Sequence, residues 1–282
     1  MKITTTKGTL ELTRPLIMGI LNLTPDSFYD GGRYTGIADA ERQTERMLEE
    51  GADIIDVGAA SSRPGSVQPD KQTEADRLIP VLKSLTRSFP RTIFSVDTFR
   101  LGVARKAMEA GACIINDISG GTMEPELINW AARQKIPYVV MHMKGNPASM
   151  QVNPVYRDVV AEVEEFFIRQ INRFKEAGME ENIILDPGFG FGKTVDHNYQ
   201  LLHALPRFRR TGYPILIGLS RKSMINKILN TTPDEALNGT TVLNTIGLLN
   251  GADILRVHDV KQAAEAIQLT RFYQSVSSGK ED

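Results

Sequence analysis

One stretch brings together residue types that could do chemistry: Ile183-Ile184-Leu185-Asp186-Pro187-Gly188-Phe189-Gly190-Phe191-Gly192-Lys193. A short apolar, β-branched run stops at a carboxylate, and Pro187 breaks the strand behind it. Three glycines then alternate with two phenylalanines. Glycine lets a backbone approach a flat ligand closely or take a positive φ, and each Phe offers a ring to stack on. The arrangement suits a planar heterocycle whose polar edge is read by Asp186. A βα loop with a buried, satisfied carboxylate would read the same way from this stretch alone. Two phosphate motifs fail on spacing. Around Gly192-Lys193-Thr194 a phosphate-gripping loop needs a glycine where Pro187 stands, and a dinucleotide fingerprint needs its third glycine where Lys193 stands.

The elements that must position this stretch recur along the chain. Short apolar runs lie at Leu16–Leu21, Ile54–Val57, Thr92–Val96, Ile114–Ile115, Tyr138–Met141, Ile183–Leu185, Ile215–Leu219 and Ile254–Val257. Helical patterns lie between them, near Ala38–Glu50, Glu74–Leu85, Gly102–Ala110, Glu126–Gln134, Val155–Ala177, Asn198–Leu205, Thr241–Leu249 and Val260–Tyr273. Gly51, Gly111, Gly178 and Gly251 are helix stops, and Gly51-Ala52-Asp53, Gly111-Ala112-Cys113 and Gly251-Ala252-Asp253 introduce new strands as near-repeats. Eight strand–helix pairs predict a single-domain (β/α)8 TIM barrel over residues 1–274, with a doubly wound open sheet as the alternative. Thr4 to Leu12 predicts an N-terminal β-hairpin capping the body, and 275–282 a polar C-terminal tail.

A barrel directs the C-terminal ends of its strands to one mouth. At or just past those ends stand Asn22, Asp56, Asp97, Asn116, His142, Asp186, Lys222, Arg256 and His258. So many partly buried polar groups on one rim are costly unless they bind something, although structural ion pairs account for some. Asp97, Asn116 and Asp186 can read an amidine-like ring edge, and Lys222 adds a cation for a ring carbonyl or nitrogen, the profile of a pterin or purine site. Asn22, Arg63, Arg256 and His258 form an anion-seeking group, in which Asn22 could hold magnesium against diphosphate oxygens. Arg63 could equally be an exposed loop charge. Arg256 and His258 alternate onto one strand face. His142, between Met141 and Met143, reads as a packed histidine, and His197 and His203 lack zinc-ligand spacing. The Gly-, Pro- and Ser-rich loops Leu23–Gly36 and Ala59–Lys71 are long enough to act as substrate clamps.

At these residues the chain resembles the dihydropteroate synthase family of bacterial folate biosynthesis. The blocks that carry the resemblance run in order from Met18-Gly19-Ile20-Leu21-Asn22-Leu23-Thr24-Pro25-Asp26-Ser27-Phe28 to Arg256-Val257-His258-Asp259-Val260. Between them come Ser62-Arg63-Pro64-Gly65, Val96-Asp97-Thr98, Ile115-Asn116-Asp117, the Asp186–Lys193 stretch and Ser220-Arg221-Lys222-Ser223. The resemblance implies condensation of 6-hydroxymethyl-7,8-dihydropterin diphosphate with p-aminobenzoate, a magnesium cofactor, a homodimer and sensitivity to sulfonamides. It implies that Asp97, Asn116, Asp186 and Lys222 hold the pterin, and that Asn22, Arg63, Arg256 and His258 take the diphosphate, with Asn22 on the metal. Phe28, Ser62, Pro64, Phe191, Lys222 and Ser223 would line the p-aminobenzoate pocket, closed by the loop bearing Phe28 and Asp30. Catalysis would fall to Asp97, Lys222, Arg63, Arg256 and His258. Where the family commonly has Glu-Ser-Thr-Arg-Pro-Gly this chain has Ala60-Ser61-Ser62-Arg63-Pro64-Gly65, and Phe99 follows Val96-Asp97-Thr98 where small or polar residues are usual.

A folate-dependent methyltransferase would use a similar barrel but has less need of the diphosphate group, and a pterin-binding paralogue without turnover would fit the altered second loop. A Schiff-base aldolase through Lys222 is disfavoured because Arg221 and Ser223 beside it look like anion binders and no acid–base dyad accompanies it. The bulk properties agree with a small-molecule enzyme. With 33 basic and 34 acidic side chains and no polybasic run, nucleic acid is not an expected partner. The lone Cys113, among isoleucines, reads as a small buried hydrophobe in a reducing compartment. Without a signal-like segment or an apolar run near the ~20 residues of a membrane helix, a cytoplasmic location is expected.

Overall fold

The protein is described here by a computed structural model covering residues 1–23, 33–60, 68–146, 150 and 153–277. A two-stranded antiparallel hairpin, β1 (Lys2–Thr5) and β2 (Gly8–Glu11), precedes the body. The body alternates β3 (Leu16–Asn22), α1 (Arg33–Glu49), β4 (Ile54–Gly58), α2 (Lys71–Ser88), β5 (Ile93–Asp97), α3 (Leu101–Glu109), β6 (Ile114–Asp117) and α4 (Pro125–Gln134). It continues with β7 (Tyr138–Met141), α5 (Val159–Glu176), β8 (Ile183–Asp186), α6 (Val195–His203), α7 (Leu205–Arg209) and β9 (Leu216–Ile217). The last elements are α8 (Ser223–Leu229), α9 (Leu237–Leu249), β10 (Ile254–Val257) and α10 (Val260–Ser277).

Eight parallel strands run in the order β8-β7-β6-β5-β4-β3-β10-β9. The ends of that row meet through a parallel bridge, Leu185 to Ile215, beside a bond from Leu185 N to Pro214 O of 2.9 Å. The result is the expected (β/α)8 barrel. Parallel strands covered on both faces need apolar residues at nearly every position, which explains why the runs are continuous and not alternating. Outward residues such as Ile17, Ile55, Val57, Phe94 and Val96 join one core with the helices. Inward residues Leu16, Met18, Ile54, Ile93, Ile114, Val139, Ile184, Leu216 and Ile254 form a separate layer at the foot of the barrel. Ile3 of the hairpin and Cys113 close that layer, so Cys113 is the buried hydrophobe its neighbours suggested.

The repeated Gly-Ala-Asp and Gly-Ala-Cys entries have a mechanical role. Gly51, Gly111 and Gly251 take φ of 103°, 98° and 93°, ending their helices as only glycine does without strain. Asp53 then accepts from Ile17 N at 2.9 Å and pairs with Arg14, while Asp253 accepts from Ile215 N at 3.0 Å and Arg209 Nη1 at 2.8 Å. Each carboxylate ties an incoming strand to its neighbour.

Several boundaries differ from expectation. The strand expected over Ile215–Leu219 is confined to Leu216–Ile217, which pair with Ile254 and Leu255, and Gly218 lies beyond the ladder. The helix expected from Val155 starts at Val159, because Asp158 caps it by accepting from Val160 N and Ala161 N at 3.0 Å. The short helices α7 and α8 were not anticipated, having too few turns to show a period. The last helix continues past 274 to Ser277, and 278–282 lie outside the described residues.

Candidate active site

Strand register sets the upper layer of the barrel. Asn22 pairs with Gly58, Gly58 with Asp97, and Asp97 with Asn116, so these four residues form one row across β3 to β6. A Cβ on Gly58 would sit 3.2 Å from Cβ of Asp97, so the glycine gives the carboxylate its room. Asp56 lies two residues before Gly58 and on the same face of β4.

Arg256 reaches into this row from β10. Its Nε donates to Asp56 Oδ2 at 2.7 Å and its Nη2 to Asp97 Oδ2 at 2.9 Å, while Asn116 Nδ2 donates to the same Asp56 oxygen at 2.8 Å. Arg256, expected in the anion-seeking group, is therefore bonded in the free protein to carboxylates on the ring-reading side. Burial opposes the Arg256 charge, yet Asp56 and Asp97 raise its pKa above the ordinary value. Burial above all lifts the Asp97 carboxyl to about 7, with Arg256 opposing and the Asp56, Glu74 and Asp117 carboxylates adding to the rise.

That raised value fixes two signs. A ligand that donates N–H groups to ionised Asp97 should bind more weakly as pH falls below about 7, by up to about tenfold per unit, as calorimetry across pH 5–8 would show. In the free protein the contribution of Asp97 to stability is complete below its ordinary 3.8 and is lost as pH rises through about 7.

Opposite this network, Asp186 ends β8 and accepts from Gly188 N at 2.7 Å through one oxygen. Burial raises its pKa, while Lys222 and Arg256 both oppose the rise, so the carboxylate faces the two cations of the cup. Lys222 Nζ donates to Phe189 O at 2.5 Å and lies 4.9 Å from the centre of the Phe191 ring. Burial lowers its pKa to about 8 against the pull of Asp186.

The loop after β8 is pinned from beneath by Lys193, which sequence reasoning had left without a role. Its buried ammonium lies 2.9 Å from Gly188 O, 3.0 Å from Phe191 O, 3.1 Å from His142 O and 3.0 Å from His142 Nδ1. The His142 ring packs edge-on to Phe166 at 5.0 Å, and burial drops its pKa to about 2, so it is a neutral partner of Lys193, as its packed reading required. Gly188 takes φ of 68°, and a Cβ there would lie 1.9 Å from His142 O. Glycine is therefore obligatory at this turn.

The remaining expected residues are placed less centrally. Asn22 is partly buried at the end of β3, and His258 is exposed beyond β10, its Nδ1 3.0 Å from Ser220 Oγ. Ser223 is exposed at the first position of α8. Arg221 is not an anion binder here: it takes φ of 56° and grips Asp259 at 3.0 and 2.8 Å, with further bonds to Pro233 O and Asp234 O. Phe191 joins Phe99, Ile118, Met141 and Met150 in an apolar cluster, which places Phe99 beside the mouth. Arg100 stacks on Phe99, pairs with Glu74 and donates to Pro69 O at 2.6 Å, anchoring the end of the second loop. Phe28, Asp30, Ser62, Arg63 and Pro64 lie outside the described residues.

A parallel barrel whose mouth sets carboxylates and an amide against a lysine and an arginine, beside a stacking phenylalanine, has the features of a pterin-binding barrel. The pterin binding enzyme family matches residues 18–258. Dihydropteroate synthase of Escherichia coli K12 is 45% identical over 281 residues, 99% of each chain. A Yersinia pestis dihydropteroate synthase solved with a sulfonamide drug superposes with a TM-score of 0.91 at 42% identity, covering 98% of this chain and 100% of that one. The Xanthomonas albilineans enzyme in complex with 7,8-dihydropteroate gives a TM-score of 0.87 at 36% identity, covering 99% and 100%. The chain belongs to the dihydropteroate synthase family, a family of transferases.

Proposed function

We propose that this chain joins 6-hydroxymethyl-7,8-dihydropterin diphosphate to p-aminobenzoate, releasing diphosphate and 7,8-dihydropteroate for folate biosynthesis. The observation that carries the reading is the pairing of Arg256 with Asp56 and Asp97 beside Asn116, with Asp186 and Lys222 completing the same cup. The reaction breaks the C–O bond between the pterin methylene and the diphosphate, which leaves with the electron pair. The dihydropterin ring delocalises the positive charge, the aryl nitrogen forms the new C–N bond, and its proton goes to solvent or the departing oxygen.

The chain supplies position and charge. Asp97, Asn116 and Asp186 read the ring, and Lys222 is held by Phe189 O for a ring heteroatom. Arg256 and His258, with Arg63, would take the charge of the leaving group. Phe191 and Ser223, together with Ser62, Pro64 and Phe28, would serve the p-aminobenzoate side, where sulfonamides would compete.

Among the described residues no three His, Cys, Asp or Glu side chains cluster as a metal cage. Magnesium commonly takes one or two protein oxygens and completes its shell with substrate phosphates and water, and the partly buried Asn22 at the end of β3 offers one such oxygen. Asn22 is the residue that would hold it, where it would neutralise charge on the diphosphate. The test is diphosphate release with and without p-aminobenzoate and magnesium. Release should require magnesium, and dihydropteroate should form only with the amine; pterin binding without product would reject the reading.

A homodimer is the second part of the proposal. Val242, Ile246 and Leu249 on α9 and Leu269, Phe272, Tyr273 and Val276 on α10 are exposed at helical spacing. Light scattering should give a dimer that Leu269→Glu with Phe272→Glu converts to monomer; a monomeric parent protein would refute it. No described helix is long and apolar enough to cross a membrane, and the cytoplasm is the proposed location.

A further inference from the structure

We propose that Asp56 is a positioning residue for this reaction, holding Arg256 and Asn116 on one carboxylate oxygen so that Arg256 stays in place when substrate takes Asp97 from it. The inference rests on the functional reading above and adds a residue to it. In the free protein Arg256 has carboxylate partners on two strands, Asp56 through Nε at 2.7 Å and Asp97 through Nη2 at 2.9 Å. Asp97 is the partner that the heterocycle must claim. A guanidinium held by Asp97 alone would be released at that moment. The Nε bond to Asp56 survives the exchange and leaves the outer end of the guanidinium free to follow the leaving group.

Asp56 is suited to this support and not to direct contact. It is fully buried, two residues below Gly58, and its Oδ2 already accepts two bonds. Its Oδ1 has no partner among the described residues. A buried unpaired acceptor is costly and calls for an explanation. An amide here would accept from Arg256 only through a neutral oxygen, a bond roughly half as strong as the charge-assisted one, so the acid is what holds the guanidinium firmly. The charge does a second thing: it bears on Asp97. The groups facing Asp97 are Arg256 on β10, Asp56 on β4, Glu74 on α2 and Asp117 on β6, with Asp186 and Lys222 completing the charged lining. Asp56, Glu74 and Asp117 push the Asp97 carboxyl upward, after burial and against Arg256.

The test is Asp56→Asn, read by calorimetric binding of a 7,8-dihydropterin lacking diphosphate across pH 5–9, and by steady-state diphosphate release. The pH at which pterin affinity falls should drop by about one unit when the neighbouring negative charge is removed. kcat/KM for the pterin diphosphate should fall on the order of 10²-fold, while KM for p-aminobenzoate holds. Combined with Arg256→Met, the two losses should be far from additive. A folded Asp56→Asn protein with parental pH dependence and parental kcat/KM overturns the proposal. If Asp56→Asn does not fold, the double variant removes both ends of the buried pair. Activity equal to Arg256→Met alone supports the proposal. A further loss, or a double variant that also fails to fold, makes Asp56 structural and overturns it. A parent protein that binds the pterin yet releases no diphosphate sinks the functional reading, while the pH-dependence arm still reads Asp56.

Discussion

Asp186→Ala should fold and lose nearly all affinity for the pterin, by ~2–5 kcal/mol, or about 30-fold to several thousand-fold in Kd. The carboxylate is buried at the end of β8, and one oxygen is already committed to Gly188 N at 2.7 Å. The loss has two parts. The ligand would lose a charge-assisted acceptor in a water-poor cup, and Lys222 and Arg256 would lose an anion that both face. Asp186→Asn separates them, because the amide keeps an acceptor for Gly188 N but carries no charge. Calorimetry with the pterin alone measures the effect without involving the second substrate. Unchanged affinity in the alanine variant would remove Asp186 from the site.

Lys193→Met should act on the same loop from behind, and with a different signature. Methionine keeps the unbranched apolar stem of lysine, one atom shorter, but donates nothing. Gly188 O, Phe191 O and His142 O would lose their shared buried donor, each orphaned acceptor costing about 1–3 kcal/mol unless the loop rearranges. A loss of about 3–5 kcal/mol should lower Tm by roughly 5–9 °C for a chain of this size, at about 2.1 cal/mol/K of unfolding entropy per residue. Because the loop carries Phe189 O and the Phe191 ring, which together hold Lys222, the arylamine KM should rise more than the pterin Kd. Differential scanning calorimetry and steady-state kinetics check the two parts. A parental Tm would show that Lys193 is dispensable to the loop.

The contrast between these residues shows what could be read from the chain alone. Asp186 was legible because a β-branched run ends on it and a glycine-rich loop follows, a pattern with few physical explanations. Asp97 and Asn116 were legible for the same reason, each standing at the end of an apolar strand. The Gly-Ala-Asp entries announced the barrel because each repeats the stop of one helix and the start of the next strand. Lys193 was not legible as a pin: a lysine after glycines suggests a phosphate, and only the fold brings His142 O beneath it. Asp56 stood among the rim residues without a role, since its partners Arg256 and Asn116 lie 200 and 60 positions away. Arg221 misled for a related reason. Its neighbours suggested an anion, but Asp259 lies 38 positions on, past the end of the adjacent parallel strand β10, which local pattern does not encode.

The foot of the barrel bears on how the chain reaches this state. Ile3 is fully buried among side chains drawn from all eight barrel strands, and Thr4 is bonded through both N and O to Asn182, 178 positions later. Lys7 reaches Thr92 O at 3.0 Å as well. Residues 1–12 are therefore made first and seated late: their socket does not exist until the chain has been synthesised past Ile254. Until then Leu16, Met18 and Ile54 lack their cover, and the growing polypeptide carries an open greasy end through most of its synthesis.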